Sequence, residues 1–208
     1  MKKSALLAEF FLIFLFPPLL IVWGALPKEA IMPVLWVISL YAYLLLRSSK
    51  VKVFVFDFDR KALCTVLKRF AAVGALIALF LLLYRPELFL DLPRTKPLFW
   101  LTVVLFYPLF SALFQEVLFR SFFFYRYEKL FKKRPLLFVT LNALLFAYVH
   151  IVFGNWIAVV FTFFGGFLFA QTYLNSRSLM LTAIEHSLYG NLLFTLGLGY
   201  YFYHGANI

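Results

Sequence analysis

Apolar stretches long enough to cross a membrane run along the chain, separated by clusters of charged residues. Residues 10–27, 30–46, 66–84 and 97–125 are each predominantly apolar, and residues 135–176 contain no Asp, Glu, Lys or Arg. A helix needs roughly 20 apolar residues to cross the hydrocarbon core. The first four stretches each predict one transmembrane helix, and the last is long enough for two.

The two predicted helices in 135–176 are joined near Gly154-Asn155, and a seventh span follows Arg177 and reaches Leu196. No linker or internal repeat divides the pattern. We therefore predict an all-α fold, a polytopic membrane helix bundle with about seven transmembrane spans, forming a single integral membrane domain over 1–208. Pro17-Pro18 predicts a kink in the first span.

Two segments allow a second interpretation. Lys2 and Lys3 could begin a signal peptide, but no A-x-A cleavage site follows, so we expect a retained first helix. Residues 51–59 alternate like a short strand. We expect this segment to lie at the membrane surface.

The amino-acid composition excludes soluble and disordered proteins. The chain of 208 residues is 64% hydrophobic and 14% charged, whereas a soluble domain is about half apolar and a quarter charged. A soluble protein could not cover so much apolar surface, and disorder requires low hydrophobicity. The chain lacks the alternating segments of about ten residues that build a membrane barrel.

The formal net charge is +11, which we attribute to cytoplasmic loops and anionic lipid headgroups rather than to nucleic acid. Fifteen Lys and Arg residues fall in loops on the side of the N-terminus and four on the opposite side. The count predicts a cytoplasmic N-terminus and an external C-terminus. We expect a multi-pass protein of a prokaryotic plasma membrane. Cys64 is the only cysteine, so no intramolecular disulfide forms.

Ionisable residues stand inside three predicted spans, the fourth, the fifth and the seventh, where such residues usually serve function. They are Glu116, Arg120, His150 and His186. Taken singly, each has a structural explanation: Glu116 and Arg120 are one helical turn apart and can neutralise each other, and a lone histidine is often interfacial. Taken together, they predict a shared site. His204, in the tail, is expected to have no role.

This set of residues suits hydrolysis of a peptide bond. A carboxylate and a histidine can deprotonate a water, and a second histidine or an asparagine can stabilise the oxyanion. One Glu and two His can also bind zinc, but the HExxH spacing is absent. We therefore expect a metal-free site without a cofactor and keep zinc as the alternative.

Three short blocks carry a family resemblance. They are Gln115-Glu116-x-x-x-Arg120, Phe146-x-x-x-His150, and His186 followed by Asn191. In order and spacing they resemble the CAAX prenyl protease 2 and bacteriocin-processing (CPBP, Abi) family of intramembrane endopeptidases. The resemblance covers about 100–200, which would form the catalytic core.

The resemblance implies an endopeptidase in which glutamate and histidine activate water. Its cavity would face the cytoplasm, and its substrate would be a membrane-associated protein or peptide, as in CAAX processing. Membrane lipid would be the other partner. The catalytic residues would be Glu116, His150 and His186, and the supporting or oxyanion residues would be Arg120, Asn191, Gln115 and Glu185.

Two positions depart from the family pattern. Gln115 replaces the first glutamate of the family pair, and a glutamine amide cannot act as a general base. Gly190 stands where the family has asparagine, and Asn191 lies one residue, or about 100° of helix, beyond. If Glu116 faces the cavity, it replaces the missing base. If Gln115 faces the cavity and Glu116 pairs with Arg120, the base is missing.

Two other functions fit the same residues. A catalytically inactive scaffold of the same fold would bind a membrane peptide, with Gln115 marking the lost activity. A small transporter would use Glu116 and the histidines as a proton relay. The transporter is disfavoured because no inverted repeat is visible in the sequence.

Overall fold

The computed structural model describes residues 3–54, 59–131 and 133–202. These residues form an all-α bundle, and no strand occurs among them. Seven long helices follow one another: α1 (Ser4–Val22), α2 (Lys28–Ser48), α3 (Arg60–Tyr84), α4 (Pro97–Phe131), α5 (Pro135–Phe153), α6 (Trp156–Ser176) and α7 (Leu179–Leu196).

Helices α1 to α6 are each long and apolar enough to cross a membrane. Helix α7 has 18 residues, or about 27 Å at 1.5 Å per residue, and it lies against α3, α4 and α6. Its buried Glu185 and His186 reduce its hydropathy. The predicted polytopic bundle of about seven spans is confirmed.

Some predicted helix bounds were wrong. Helix α1 begins at Ser4 and ends at Val22, earlier than the predicted range 10–27. Helix α3 extends back to Arg60, because the Asp59 side chain accepts a hydrogen bond from the Lys61 amide at 3.1 Å and caps the helix. Residues 51–54 have no regular secondary structure, and 55–58, like Lys2 and His204, lie outside the described residues.

Among the residues that the structure describes, three π-helical segments interrupt the membrane helices: Phe11–Leu15 in α1, and Pro108–Ala112 and Val117–Phe122 in α4. The first ends two residues before Pro17, so an irregularity does occur close to where a kink was predicted. Widened turns leave some backbone carbonyls without their usual partner. In α4, the side chains of Trp36 and Ser39 from α2 donate to the carbonyls of Phe110 and Phe114, at 2.7 and 2.9 Å.

The last three helices are joined by tight turns. Between α5 and α6, Gly154 adopts a φ of 70°, and Asn155 caps α6 by accepting from the Ala158 amide at 2.8 Å. Between α6 and α7, Ser178 accepts from the Leu181 amide at 3.2 Å. The predicted junctions near Gly154 and after Arg177 are confirmed.

The end of the bundle that carries the basic loops is densely packed. Its core is an aromatic cluster from α1, α4 and α5: Phe14, Phe119, Phe122, Phe123, Phe124, Tyr127 and Phe138. Two ion pairs tie the helices together there, Arg126 with Glu9 and Arg177 with Glu128. The hydrogen bond from Arg177 to Glu128 raises the pKa of that arginine.

Candidate active site

A cavity of about 970 Å³ lies between α2, α3, α4, α5, α6 and α7. This volume is at the upper end of the range typical of small-molecule pockets. Its wall is mostly apolar and aromatic, and four polar side chains group at its inner end: Tyr107, Gln115, His150 and His186. Three of these four belong to or adjoin the predicted motifs.

His186 in α7 is held from both ring nitrogens. Its Nδ1 lies 2.8 Å from Glu116 Oε1, and its Nε2 lies 2.9 Å from the Tyr107 hydroxyl. The ring stacks on Phe169 with centroids 4.6 Å apart. An ionised carboxylate only accepts hydrogen bonds, so Nδ1–H donates to Glu116, and in the neutral form of the ring Nε2 accepts from the Tyr107 hydroxyl.

Glu116 does not line the cavity. It is fully buried behind His186, with Oε1 facing that ring and Oε2 lying 3.0 Å from Arg120 Nε. Of the two alternatives left open by the sequence, the structure has the second, in which Gln115 lines the cavity and Glu116 pairs with Arg120. The two imidazoles do line one cavity, and Glu116 reaches it only through His186.

Arg120 is also fully buried and closes the inner side of the site. Its guanidinium faces Glu116, donates to Asn142 Oδ1, and lies 5.1 Å from the centroid of the Phe146 ring. Asn142 in turn donates to the Phe119 carbonyl at 2.8 Å. Asn142 was not singled out from the sequence, because an asparagine in an apolar span carries no pattern of its own.

The local helix geometry explains this pairing. Arg120 lies within the π-helical segment Val117–Phe122, which begins directly after Glu116. A π-helical turn contains more residues than an α-helical turn and rotates the following side chains relative to an α-helix. Glu116 and Arg120, four residues apart, meet inside the bundle, whereas Gln115 lines the cavity.

His150 lies at the cavity wall where α5 passes into a 3₁₀ turn. Its Nδ1 is 2.6 Å from the Phe146 carbonyl oxygen of its own helix. A carbonyl only accepts, so Nδ1–H donates and Nε2 is the nitrogen without a proton. His150 therefore presents a hydrogen-bond acceptor that is suited to take a proton.

Gln115 lines this cavity together with His150, and both also line a second cavity of about 130 Å³ between α1, α2, α4 and α5. The Gln115 amide donates to Ser111 Oγ at 2.9 Å. Its carbonyl oxygen Oε1 has no hydrogen-bond partner within the described part of the chain. Gln115 and His150 thus stand together where the two cavities meet.

Tyr107 is a site residue that the sequence analysis missed. Its ring fills the space beside Gly190, where an added Cβ would overlap a Tyr107 ring carbon and lie 2.5 Å from its hydroxyl oxygen. Only glycine allows this approach. The hydroxyl therefore occupies the region that the family's asparagine side chain would enter from this position. The sequence feature that could have pointed to Tyr107 was Gly190, which stands where the family has asparagine.

Two predicted supporting residues lie away from the cavity. Asn191 donates to the Val104 carbonyl at 3.1 Å and holds α7 against α4. Glu185 is buried and forms an ion pair with Arg69 of α3. Neither lines the cavity, so the contacts of both residues are structural ones between helices, and a supporting or oxyanion role stays a prediction.

The described residues do not form a metal site. Within residues 3–54, 59–131 and 133–202, no group of three or more His, Cys, Asp and Glu side chains is placed to hold a metal ion. Glu116 and His186 hydrogen-bond to each other, and His150 Nδ1 bonds its own backbone. These donors do not converge on a common point.

Comparison with known proteins finds one family. Residues 97–192 match the family model of the type II CAAX prenyl endopeptidase Rce1-like proteins. No curated protein and no solved structure shows a significant match. The match is to the family that the three motifs resemble, and it spans α4, α5, α6 and most of α7.

Proposed function

Starting from the Rce1-like family match over 97–192, which supports a membrane protease, we propose that this chain is an intramembrane endopeptidase. It cleaves the apolar, membrane-associated tail of a protein or peptide, with His150 as the general base. One observation carries the proposal. A large apolar cavity ends at a histidine whose Nδ1 is engaged by its own backbone, which leaves Nε2 to accept a proton.

The substrate tail binds along the apolar wall, and the scissile carbonyl lies at the polar inner end. Gln115 and His150 hold a water between them, and His150 Nε2 takes its proton as the water oxygen attacks the carbonyl carbon. A tetrahedral intermediate forms. His150 then returns the proton to the departing amide nitrogen as the carbon–nitrogen bond breaks. No metal or cofactor is required in this scheme.

Tyr107 and His186 form the opposite side of the reacting centre. The Tyr107 hydroxyl can rotate about its C–O bond from His186 Nε2 toward the substrate carbonyl, where it stabilises the developing oxyanion. Glu116 acts through His186: it fixes the tautomer and orientation of the ring. Glu116 is therefore a positioning residue, and Arg120 holds it in turn.

Cleavage of an internally quenched peptide with a farnesylated cysteine tests this function in proteoliposomes. We expect His150→Gln to lower turnover by about 10²–10⁴-fold, the usual contribution of a general base. Gln115→Glu should raise turnover, because it places a second base beside the water. Cys64→Ser, at the exposed start of α3, is the matched control and should cleave like the wild type.

A second candidate, the inactive scaffold, is favoured by one observation: Gln115 rather than Glu116 lines the cavity. A scaffold would bind the farnesylated peptide without cleaving it. Background turnover by the wild type and by Gln115→Glu, with saturable peptide binding by both, would support the scaffold and contradict the endopeptidase. Turnover that His150→Gln abolishes would do the reverse.

A further inference from the structure

The second cavity, between α1, α2, α4 and α5, adjoins the larger one at the proposed reacting centre. Six residues line both cavities: Ile31, Met32, Ser111, Gln115, His150 and Phe153. The polar residues among the six are Ser111, Gln115 and His150. A water held between Gln115 and His150 therefore lies where the two cavities meet.

The two cavities differ in what they can hold. The larger one has a volume of about 970 Å³, and an apolar substrate tail that fills it displaces the water there. The second has about 130 Å³, which is below the roughly 300 Å³ at which pockets for small molecules begin. A water molecule takes about 30 Å³ in the liquid. The second cavity is therefore too small for the substrate tail and large enough for a few waters.

Polar groups at the junction of the cavities suit water. A buried water needs about two to four polar partners. The Ser111 hydroxyl can donate or accept, and His150 Nε2 accepts. The Gln115 carbonyl oxygen is buried and receives no hydrogen bond from the described part of the chain. Leaving such an oxygen unpaired costs free energy, and a water that donates to it removes this cost.

Helix α1 adds backbone acceptors to the second cavity. Pro17 and Pro18 line it together with Ile13. A proline has no amide N–H, so the carbonyls of Ile13 and Phe14, four residues earlier, receive no α-helical hydrogen bond from the proline pair. In transmembrane helices, ordered water is one of the groups that satisfy carbonyls freed by proline. The proline pair thus favours water beside α1.

Much of the wall of the second cavity lies outside the family match. Helices α1 and α2 precede the matched residues 97–192. Besides the proline pair, they supply apolar side chains that include Ile21, Leu35 and Ile38. The second cavity is therefore a feature of this chain that the match does not cover.

We infer that the second cavity is a water-binding site, which supplies the hydrolytic water to His150 while the substrate tail fills the larger cavity. The water donates one hydrogen toward Gln115 and the other to His150 Nε2. That nitrogen takes the proton as the water oxygen attacks the substrate carbonyl carbon. The supply of water to the reaction rests on the proposed endopeptidase function, whereas the presence of water in the cavity does not.

X-ray footprinting in lipid nanodiscs tests for the water. Brief synchrotron irradiation produces hydroxyl radicals from water, and these oxidise a neighbouring methionine to its sulfoxide. Leu35→Met, which nearly conserves volume, places the reporter in the second cavity, since Leu35 lines that cavity and not the larger one. Leu40→Met is the matched control on the same helix, because Leu40 is exposed on the outside of the bundle.

Both variants are irradiated with and without the farnesylated peptide, and the sulfoxide is measured by mass spectrometry. We expect Leu35→Met to be oxidised at least about fivefold faster than Leu40→Met, at the same rate when the peptide fills the larger cavity. Equal rates in the two variants would show a dry cavity and overturn the inference. Protection of Leu35→Met by the peptide would also overturn it, because the water would then arrive through the larger cavity.

Filling the second cavity tests the supply of water to the reaction. Ile38→Phe occupies part of this cavity alone, because Ile38 does not line the larger one. We expect kcat per folded molecule to fall by at least about tenfold and KM to stay within about twofold, because the peptide still binds and the attacking water is lost. Val34→Leu, a smaller change in the same cavity, should lower kcat in the same direction if Ile38→Phe does not fold. The control Val160→Phe narrows the larger cavity alone and should raise KM.

These results separate the inference from the proposed function. Loss of kcat in the variants that fill the second cavity, with a change of KM in Val160→Phe, would support both. Unchanged kcat in Ile38→Phe and Val34→Leu would overturn the supply of water from this cavity and leave the endopeptidase standing. Rapid oxidation of Leu35→Met without turnover by the wild type would support the water site and count against the endopeptidase.

Discussion

Substituting either residue of the buried ion pair between Glu116 and Arg120 should lower the free energy of unfolding of the protein. Both side chains are fully buried, and their charged atoms lie 3.0 Å apart. Removing one partner of a buried pair leaves an uncompensated charge and costs about 3–5 kcal/mol. We therefore expect Glu116→Gln and Arg120→Gln each to lower the free energy of unfolding by an amount in this range.

The double variant should cost much less than the sum of the two single variants, because it leaves no unpaired charge. A coupling energy of at least about 2 kcal/mol is expected, within the range known for residues in contact. The assay is SDS-induced unfolding in mixed micelles, followed by far-UV circular dichroism. Arg85→Gln removes the exposed partner of Glu87 and serves as the control, with no measurable change expected.

Additive costs, within about 0.5 kcal/mol, would refute the coupling and with it the account of why Glu116 is held behind His186. Cleavage by Glu116→Gln should be compared only after its folded fraction has been measured. Dividing the turnover by the folded fraction distinguishes a loss of folded protein from a loss of activity caused by a misoriented His186.

Three further results are expected. Gly190→Ala should displace the Tyr107 ring and lower turnover by up to about 10²-fold. The control Gly165→Ala, whose Cβ would make a contact of 3.4 Å with a side chain, should have little effect. Equal turnover in both variants would exclude Tyr107 from the reaction. Asn191→Ala should lose the hydrogen bond to the Val104 carbonyl and about 1 kcal/mol of stability, with unchanged turnover per folded molecule. A loss of turnover without a loss of stability would show that Asn191 takes part in the reaction. Chelation with EDTA should leave cleavage unchanged, and loss of cleavage that zinc restores would contradict the metal-free mechanism.

The fold was predictable from the sequence because the membrane imposes a simple length rule. Each apolar stretch became a long helix, and the turn at Gly154 was visible as a break between two spans. The helix ends were less predictable, since caps such as Asp59 extend helices beyond their apolar part. The π-helical segments in α4 left no recognisable sequence pattern.

The site was predictable as a set of motifs but not as a geometry. His150 and His186 do share one cavity, and Glu116 contacts His186. Gln115 and Glu116 are neighbours about 100° apart on a helix, so the sequence could not decide which one faces the cavity. In the structure Gln115 faces the cavity, and Tyr107 enters only because Gly190 leaves room.

Isotope analysis of the cleavage products tests the central claim most directly. The wild-type protein is incubated with the farnesylated peptide in H₂¹⁸O, and the fragments are analysed by mass spectrometry. The account predicts one ¹⁸O atom in the new terminal carboxylate, formed by the wild type and lost in His150→Gln. Bound but intact peptide with the wild type, or equal product from both proteins, would contradict it.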